Sequence, residues 1–231
     1  MNPATAERLR RVEGRIAAAA QACGRRPDAV RLVAVAKTQT ADRVRAAYEA
    51  GAVRIGENYI QEARDKFNTL ADLPIEWHFI GHLQANKAKY AVRLFDLIHT
   101  VDSLRLAVEL DVQARKRSKI QKILIQVNVS GESTKSGVRP EETPELVSAV
   151  SRLQNLRLRG FMTMPPFFDD PGRARPYFAE LRRLRDRMQA QGLAGLDLQE
   201  LSMGMTGDFE AAIAEGATLV RIGTAIFGER A

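Results

Sequence analysis

Cysteine is almost absent from this sequence, since Cys23 is the one example among 231 residues. A single cysteine cannot form an intramolecular disulfide or build a cysteine-rich metal site. Histidine is also scarce, and His78, His82 and His99 show no recognisable ligand spacing. We therefore expect no metal centre, an inert Cys23 and a reducing cellular compartment.

Long apolar runs are missing as well. No stretch approaches the ~20 apolar residues that a membrane span requires. The opening segment MNPATAERLRRVEGR is charged and helical, and it lacks the apolar core of a secretory signal. We therefore expect a soluble cytoplasmic protein that has no membrane partner.

Basic residues exceed acidic ones, which gives a formal net charge of +7. The segment from Arg173 to Arg187 carries six arginines, a charge density that occurs in nucleic-acid-binding proteins. In the same segment apolar residues recur at helical spacing, so the arginines are typical of the solvated face of an amphipathic helix. No recognition motif accompanies the charge, and we expect no nucleic-acid partner.

Short β-rich runs alternate with amphipathic helical segments along the whole chain, after an opening helix at about Ala4–Ala22. Eight such repeats predict one domain over residues 1–231, a (β/α)8 TIM-type barrel with an additional N-terminal helix. An open doubly wound sheet is the alternative, weakened because no Gly-x-Gly-x-x-Gly turn follows the first strand. The predicted strands are Arg31–Ala36, Val53–Gly56, Ile75–Ile80, Leu97–Val101, Ile123–Val129, Leu156–Met162, Gln199–Met203 and Leu219–Ile226.

A lysine, Lys37, follows the apolar run of the first predicted strand. Burial disfavours the charged ammonium and so produces a free amine that can attack an aldehyde or ketone, as in a Schiff-base site. The alternative is a strand-ending lysine that extends into solvent. Because a barrel collects its strand ends at one mouth, the other polar residues there favour a ligand site.

The last two strands end in segments that are typical of phosphate binding in barrels. Ser202 and Thr224 offer hydroxyl donors, and Gly223 permits close approach of the backbone, although tight turns alone also explain glycine there. Arg221 lies in an apolar strand and needs a partner. The partner is either an acidic side chain, such as Glu200 or Glu57, or a ligand acceptor such as the pyridine nitrogen of pyridoxal phosphate.

Seven segments, in this order, resemble those of the pyridoxal phosphate homeostasis proteins, whose fold is similar to the N-terminal barrel of alanine racemase. The resemblance covers nearly the whole chain, and HFIGHLQANK is its most specific motif. The segments are VAVAKT, IGENY, HFIGHLQANK, STKSG, GFMTM, LSMGM and VRIGTAIFG.

The resemblance implies that the protein holds pyridoxal 5'-phosphate. Lys37 would carry the cofactor as an aldimine, while Ser202, Gly223 and Thr224 would bind its phosphate. Arg221 would face the pyridine nitrogen.

Three further roles follow from the same resemblance. Met164 would contact the face of the cofactor ring, and Asn58 would lie near the ring substituents. Lys135 is a candidate for a secondary cofactor contact, although a solvated loop lysine is an equally good interpretation.

Alanine racemases carry a second, β-rich domain with a tyrosine acid/base and the dimer contacts, and the present sequence shows no such segment. We therefore expect a monomer that stores, buffers or delivers the cofactor to apoenzymes in vitamin B6 homeostasis, with little or no catalysis. The alternatives are a single-domain amino-acid racemase and a Schiff-base aldolase without cofactor.

Overall fold

Eight parallel strands close into a barrel in a computed structural model that describes residues 3–132, 135–192 and 197–228. The strands pair in chain order, and the last strand pairs with the first, so the predicted TIM-type barrel is confirmed and the open sheet is excluded. The strands are β1 Arg31–Val35, β2 Arg54–Glu57, β3 Glu76–Phe79, β4 Leu97–Val101, β5 Gln121–Gln126, β6 Leu156–Met162, β7 Glu200–Ser202 and β8 Leu219–Ile222.

Helices surround the barrel, as expected for crossover connections between parallel strands. The described helices are α1 Pro3–Ala22, α2 Ala41–Glu49, α3 Ile60–Thr69, α4 Ala88–Leu94, α5 Leu104–Arg115, α6 Thr143–Val150, α7 Arg175–Ala190, α8 Phe209–Ala214 and α9 Thr224–Phe227. Helix α1 packs against α2, α8 and α9, the place that a long helix after β8 would occupy. Within the described ranges, no helix combines the length and apolarity needed to cross a membrane.

The end of the last strand differs from the sequence prediction. Strand β8 stops at Ile222 and the chain turns into α9, whereas periodicity predicted a strand to Ile226. Backbone hydrogen bonds from Phe227 N–H to Gly223 O, at 2.9 Å, and from Gly228 N–H to Thr224 O, at 2.8 Å, close the helical turn. The periodicity of a short apolar run does not distinguish a strand from a buried helix, so tertiary contacts decide which of the two forms.

Strand alternation divides the side chains into an outer and an inner set. Most of the core lies between the sheet and the helices, and a separate small cluster lies apart from it. That small cluster contains Val33, Leu97, Leu124, Met162 and Leu219, one residue from each of five strands. Because neighbours in a strand face opposite sides, Arg221, two residues after Leu219, shares the inner face.

Gly160 in β6 occupies a position that only glycine can fill. Its φ is +145°, and a Cβ atom would lie 1.9 Å from the carbonyl oxygen of Glu200 on the neighbouring strand. Gly14, in contrast, lies in α1 with nothing within 4 Å of an added Cβ atom.

We expect Gly160→Ala to lower the free energy of unfolding by about 2 kcal/mol or more, because strain and a backbone clash oppose β6–β7 pairing. The matched variant Gly14→Ala should raise it by up to about 1 kcal/mol through helix propensity. Urea denaturation followed by circular dichroism measures both. Equal stability of Gly160→Ala and the unsubstituted protein would contradict the close approach of β6 and β7.

Candidate functional site

A cavity of about 320 Å³ opens at the carboxyl ends of the strands. Six of the seven predicted site residues line it, namely Lys37, Asn58, Met164, Arg221, Gly223 and Thr224. A larger groove of about 550 Å³ lies beside it, but Asn58 is the one predicted residue that it shares. The smaller cavity is therefore where the chemically informative side chains converge.

Lys37 lies half-buried directly beyond the end of β1 and lines the cavity. The preceding residue, Ala36, extends the sheet by donating its N–H to Gly56 O at 2.9 Å. The following residue, Thr38, has a left-handed φ of 64° and donates its N–H to Glu62 Oε2 at 2.8 Å. Within the described ranges, the ammonium of Lys37 has neither an ion-pair nor a hydrogen-bond partner, so its amine remains available to a ligand.

A buried ion pair between the sheet and α3 ties the ends of β1 and β2 together. The ammonium of Lys66 donates to Glu57 Oε1 at 2.7 Å and to the carbonyl oxygen of Ala36 at 2.6 Å. These two acceptors immediately precede Asn58 and Lys37 in the chain. Burial raises the pKa of Glu57 to about 7, although the hydrogen bond and the charge of Lys66 oppose that shift. Lys66 therefore fixes the chain at the two residues that precede Lys37 and Asn58.

Arg221 extends from β8 into the barrel interior and is only 4% exposed. Its Nη1 donates to Ser202 Oγ at 2.6 Å and its Nη2 to Thr163 O at 2.9 Å. Burial lowers the pKa of the guanidinium to about 10, which still leaves it positively charged near neutral pH.

Neither acidic partner considered from the sequence pairs with Arg221. Glu57 bonds to Lys66, and Glu200, the first residue of β7, bonds to Arg31 and to Thr218 Oγ1. Two N–H groups of the guanidinium donate to the protein, so three of its five have no acceptor among the described residues. These donors favour the other option, a ligand acceptor.

Ser202 is the predicted site residue that the structure places away from the cavity. Its side chain is fully buried, and its hydroxyl bonds to Arg221 and to His99 Nδ1, the latter at 2.8 Å. The hydroxyl therefore contacts the guanidinium from the barrel interior. Strand alternation explains this, because a residue at the end of β7 faces inward one layer below the loop.

A residue that sequence reasoning missed, Thr206, lines the cavity in the loop after β7. The hydroxyl of Thr224 donates to Thr206 Oγ1 at 3.3 Å, so the two side chains converge. The backbone N–H groups of Thr206 and Gly207 have no acceptor among the described residues. Together they form a cup of donors suited to phosphate. The signal was present in LSMGMT, where a second hydroxyl follows the glycine.

One carboxylate, Asp208, lies among the described residues of the cavity wall. Its Oδ1 accepts the N–H of Met205 at 2.6 Å. Burial raises the pKa of this carboxyl, while the Met205 hydrogen bond and the charge of Arg221 oppose the shift. Its charge is therefore held between the loop backbone and Arg221.

The remaining wall is apolar, with one polar exception. Met164 is 39% exposed, and Ile80 and Phe168 add further apolar surface. The side-chain oxygen of Asn58 is buried without a hydrogen-bond partner among the described residues. Since a buried polar atom without a partner is costly, this oxygen is suited to a ligand donor.

Lys135 and His82 lie outside the cavity wall. The ammonium of Lys135 is 3.4 Å from Glu132 Oε1, and Ser133 and Thr134 of the same STKSG segment lie outside the described residues. His82 is exposed, with its Nδ1 4.0 Å from Asp102 Oδ2, and it lines the neighbouring groove. Neither side chain takes part in the cluster around Lys37.

A barrel with a lysine at the end of β1 and a donor cup after β7 and β8 defines a protein of the alanine racemase barrel class. Residues 8–231 match the family model described as the N-terminal domain of alanine racemase. A pyridoxal phosphate homeostasis protein of Aquifex aeolicus is 46% identical, covering 97% of each chain, and one of Pseudomonas aeruginosa is 48% identical, covering 97% of this chain and 95% of the relative.

Solved structures of similar proteins have the same fold as this chain. An unknown protein from Bifidobacterium adolescentis has a TM-score of 0.90 and 38% identity over 98% of this chain and 97% of its own. PipY of Synechococcus elongatus, with PLP bound, has a TM-score of 0.84 and 38% identity over 97% of this chain and 100% of its own. The chain belongs to the family of pyridoxal phosphate homeostasis proteins, which confirms the resemblance noted in its motifs.

Lys66→Met should lower the free energy of unfolding by about 1–3 kcal/mol at about pH 8–9, because Glu57 must then take up a proton or stay buried as a carboxylate without a counter-charge. The pKa of Glu57 in the folded state lies above the ordinary 4.5, so its contribution to stability is greatest below that value and is lost as pH rises through about 7. Without Lys66 the carboxyl stays protonated to higher pH, so the destabilisation relative to the unsubstituted protein should be small at about pH 6 and grow as the pH rises through 7 to about 9.

Urea denaturation across that pH range measures the effect. The double variant Lys66→Met/Glu57→Gln is the control, because it removes both charges and should recover much of the stability. A loss that is independent of pH would show that packing, not the ion pair, explains the effect of Lys66.

Proposed function

We propose that this protein binds pyridoxal 5'-phosphate as an aldimine on Lys37 and acts in vitamin B6 homeostasis by holding and releasing that cofactor. One observation carries the proposal: a single cavity brings together a lysine amine that has no partner among the described residues, a buried guanidinium and a cup of hydroxyl and amide donors. These are the groups that an aldehyde, a pyridine nitrogen and a phosphate require.

The chemistry of each wall matches one part of the cofactor. The amine of Lys37 condenses with the aldehyde carbon, where a C=N bond replaces the C=O bond and water leaves. Arg221 offers N–H donors to the pyridine nitrogen. The hydroxyls of Thr206 and Thr224 surround the phosphate, together with Gly223, which lies between β8 and α9. In this assignment the hydroxyl of Thr206, in the loop after β7, contacts the phosphate in place of the hydroxyl of Ser202.

Asn58 and Met164 complete the proposed contacts. The side-chain oxygen of Asn58, which has no partner among the described residues, accepts a hydrogen bond from a ring substituent, and the thioether of Met164 packs on the ring. The relatives named as pyridoxal phosphate homeostasis proteins and the PLP-bound structure of PipY support this ligand.

Cofactor handling, rather than turnover, is the function that this wall supports. An arginine at the pyridine nitrogen keeps that atom unprotonated, which weakens the cofactor as an electron acceptor. Lys37, Asp208 and Arg221 are the titratable side chains of the described cavity wall, and Asp208 and Arg221 are already held by protein contacts. Racemase and aldolase activities are not favoured.

We further propose a cytoplasmic monomer that delivers the cofactor to apoenzymes. The free cysteine, Cys23, is exposed, as is common in reducing compartments. The half-buried position of Lys37 and the exposed Met164 leave the ligand accessible from solvent, which suits transfer.

Lys37→Ala should abolish the visible absorption band that appears when pyridoxal 5'-phosphate is added, because no other lysine lines the described cavity. Borohydride reduction of the unsubstituted protein, followed by peptide mapping, should place the pyridoxyl group on Lys37. Lys135→Ala is the matched control and should retain the band. A band that persists in Lys37→Ala, or an adduct mapped elsewhere, would remove Lys37 as the linkage.

Thr206→Val should lower the affinity for pyridoxal 5'-phosphate by about tenfold, because one hydrogen bond to a charged group is lost. The affinity for pyridoxal, which lacks the phosphate, should stay unchanged. Equilibrium dialysis with both ligands measures the difference. An equal loss for both ligands would show that Thr206 contacts the ring or shapes the cavity instead.

A further inference from the structure

A continuous line of hydrogen-bonded side chains crosses the barrel from its amino-terminal end to the cavity. Glu76 Oε1 lies 3.1 Å from His78 Nε2, and His78 Nδ1 lies 2.9 Å from His99 Nε2. His99 Nδ1 lies 2.8 Å from Ser202 Oγ, which accepts from Arg221 Nη1 at 2.6 Å. These five residues come from β3, β4, β7 and β8, and we refer to them as the interior chain.

Four members of the interior chain are enclosed by protein. Arg221 is 4% exposed, His78 is 1% exposed, and the side chains of His99 and Ser202 are fully buried. Glu76 alone reaches solvent, with 39% of its side chain exposed. Barrel interiors are usually filled by branched apolar side chains, so polar groups placed there must satisfy one another. The five side chains of the interior chain therefore form one hydrogen-bonded unit.

The direction of every hydrogen bond in this unit follows from Arg221. A guanidinium can only donate, so Ser202 Oγ accepts from it. Within the described residues, His99 Nδ1 is the remaining partner of the Ser202 hydroxyl, so it accepts the hydrogen bond that the hydroxyl donates. His99 then carries its proton on Nε2, which donates a hydrogen bond to His78 Nδ1. His78 in turn donates a hydrogen bond from Nε2 to Glu76. The reverse direction would leave the buried hydroxyl proton without an acceptor.

The neutral state of His99 agrees with this direction. Burial lowers the pKa of His99 well below its ordinary value, and the charge of Arg221 acts in the same direction. Glu76, at the other end of the interior chain, carries a negative charge that compensates the charge of Arg221. The hydrogen bond from His78 lowers the pKa of Glu76 to about 2. Arg54 also contacts this carboxylate, with its Nε 2.9 Å from Glu76 Oε2.

We propose that Ser202, His99 and His78 are positioning residues that hold the guanidinium of Arg221 through a chain of hydrogen bonds running in one direction and ending at the carboxylate of Glu76. The chain fixes Nη1 from inside the barrel, while Thr163 O fixes Nη2. The three remaining donors are thereby oriented for the cavity. Their use in recognising a pyridine nitrogen rests on the proposed function, whereas the direction of the chain does not.

Histidine NMR on the full chain without added ligand tests the direction. The sequence has three histidines, so ¹⁵N labelling gives three ring systems, and exposed His82 serves as the internal reference. At about pH 8, where neutral rings dominate in solution, we expect protons on Nε2 and bare Nδ1 atoms for both His78 and His99. Protonation of His99 on Nδ1 would overturn the proposed direction.

Ser202→Ala tests the positioning role, and Thr100→Val is its matched control. Thr100 is a buried residue of β4 whose hydroxyl has no hydrogen-bond partner among the described residues. Both variants remove one buried hydroxyl, but only Ser202→Ala interrupts the interior chain. We expect His99 to populate both tautomers in Ser202→Ala and to remain unchanged in Thr100→Val.

Two ligands then report on Arg221. Ser202→Ala should lower the affinity for pyridoxal 5'-phosphate by about tenfold, with a smaller effect on the deaza analogue in which a C–H group replaces the pyridine nitrogen. Equal effects on both ligands, or none, would overturn the positioning role. If the unsubstituted protein binds neither ligand, the proposed function fails, and the NMR result still decides the direction of the interior chain.

Discussion

The buried guanidinium of Arg221 is the constraint on which the barrel interior depends. A charge that is 4% exposed and lacks a carboxylate at ion-pair distance among the described residues would be costly without hydrogen bonds. Ser202 and Thr163 supply two, and Ser202 in turn requires His99. The polar character of this part of the interior, where barrels usually carry branched apolar residues, follows from that single charge.

A second buried cation is stabilised differently. Lys66 has a carboxylate partner, Glu57, and also binds the carbonyl oxygen of Ala36. The ion pair lies between the sheet and α3 and holds the residues that precede Lys37 and Asn58, so it helps to position two cavity residues. Of the two buried cations, Arg221 lines the cavity itself, whereas Lys66 acts through the chain on either side of it.

The cavity combines firm anchoring with an open, apolar rim. Exposed Met164 and Met205 line it, and Phe167, which is 86% exposed, stands at its edge. Thioether and aromatic groups in contact with water are usually found where a surface meets a ligand or a partner. Such a rim fits a protein that exchanges its ligand with other molecules better than one that encloses a reaction.

Local pattern in the sequence determined the alternation of strands and helices, the lysine that ends β1 and the arginine among apolar neighbours in β8, because periodicity and strand ends are properties of adjacent residues. The partners of Arg221, the inward position of Ser202, the cavity position of Thr206 and the turn into α9 were decided by the tertiary structure. Each depends on which strands meet across the closed barrel and on how far each strand extends before its loop begins. Contacts between residues about a hundred positions apart, such as His99 and Ser202, leave no trace in local periodicity.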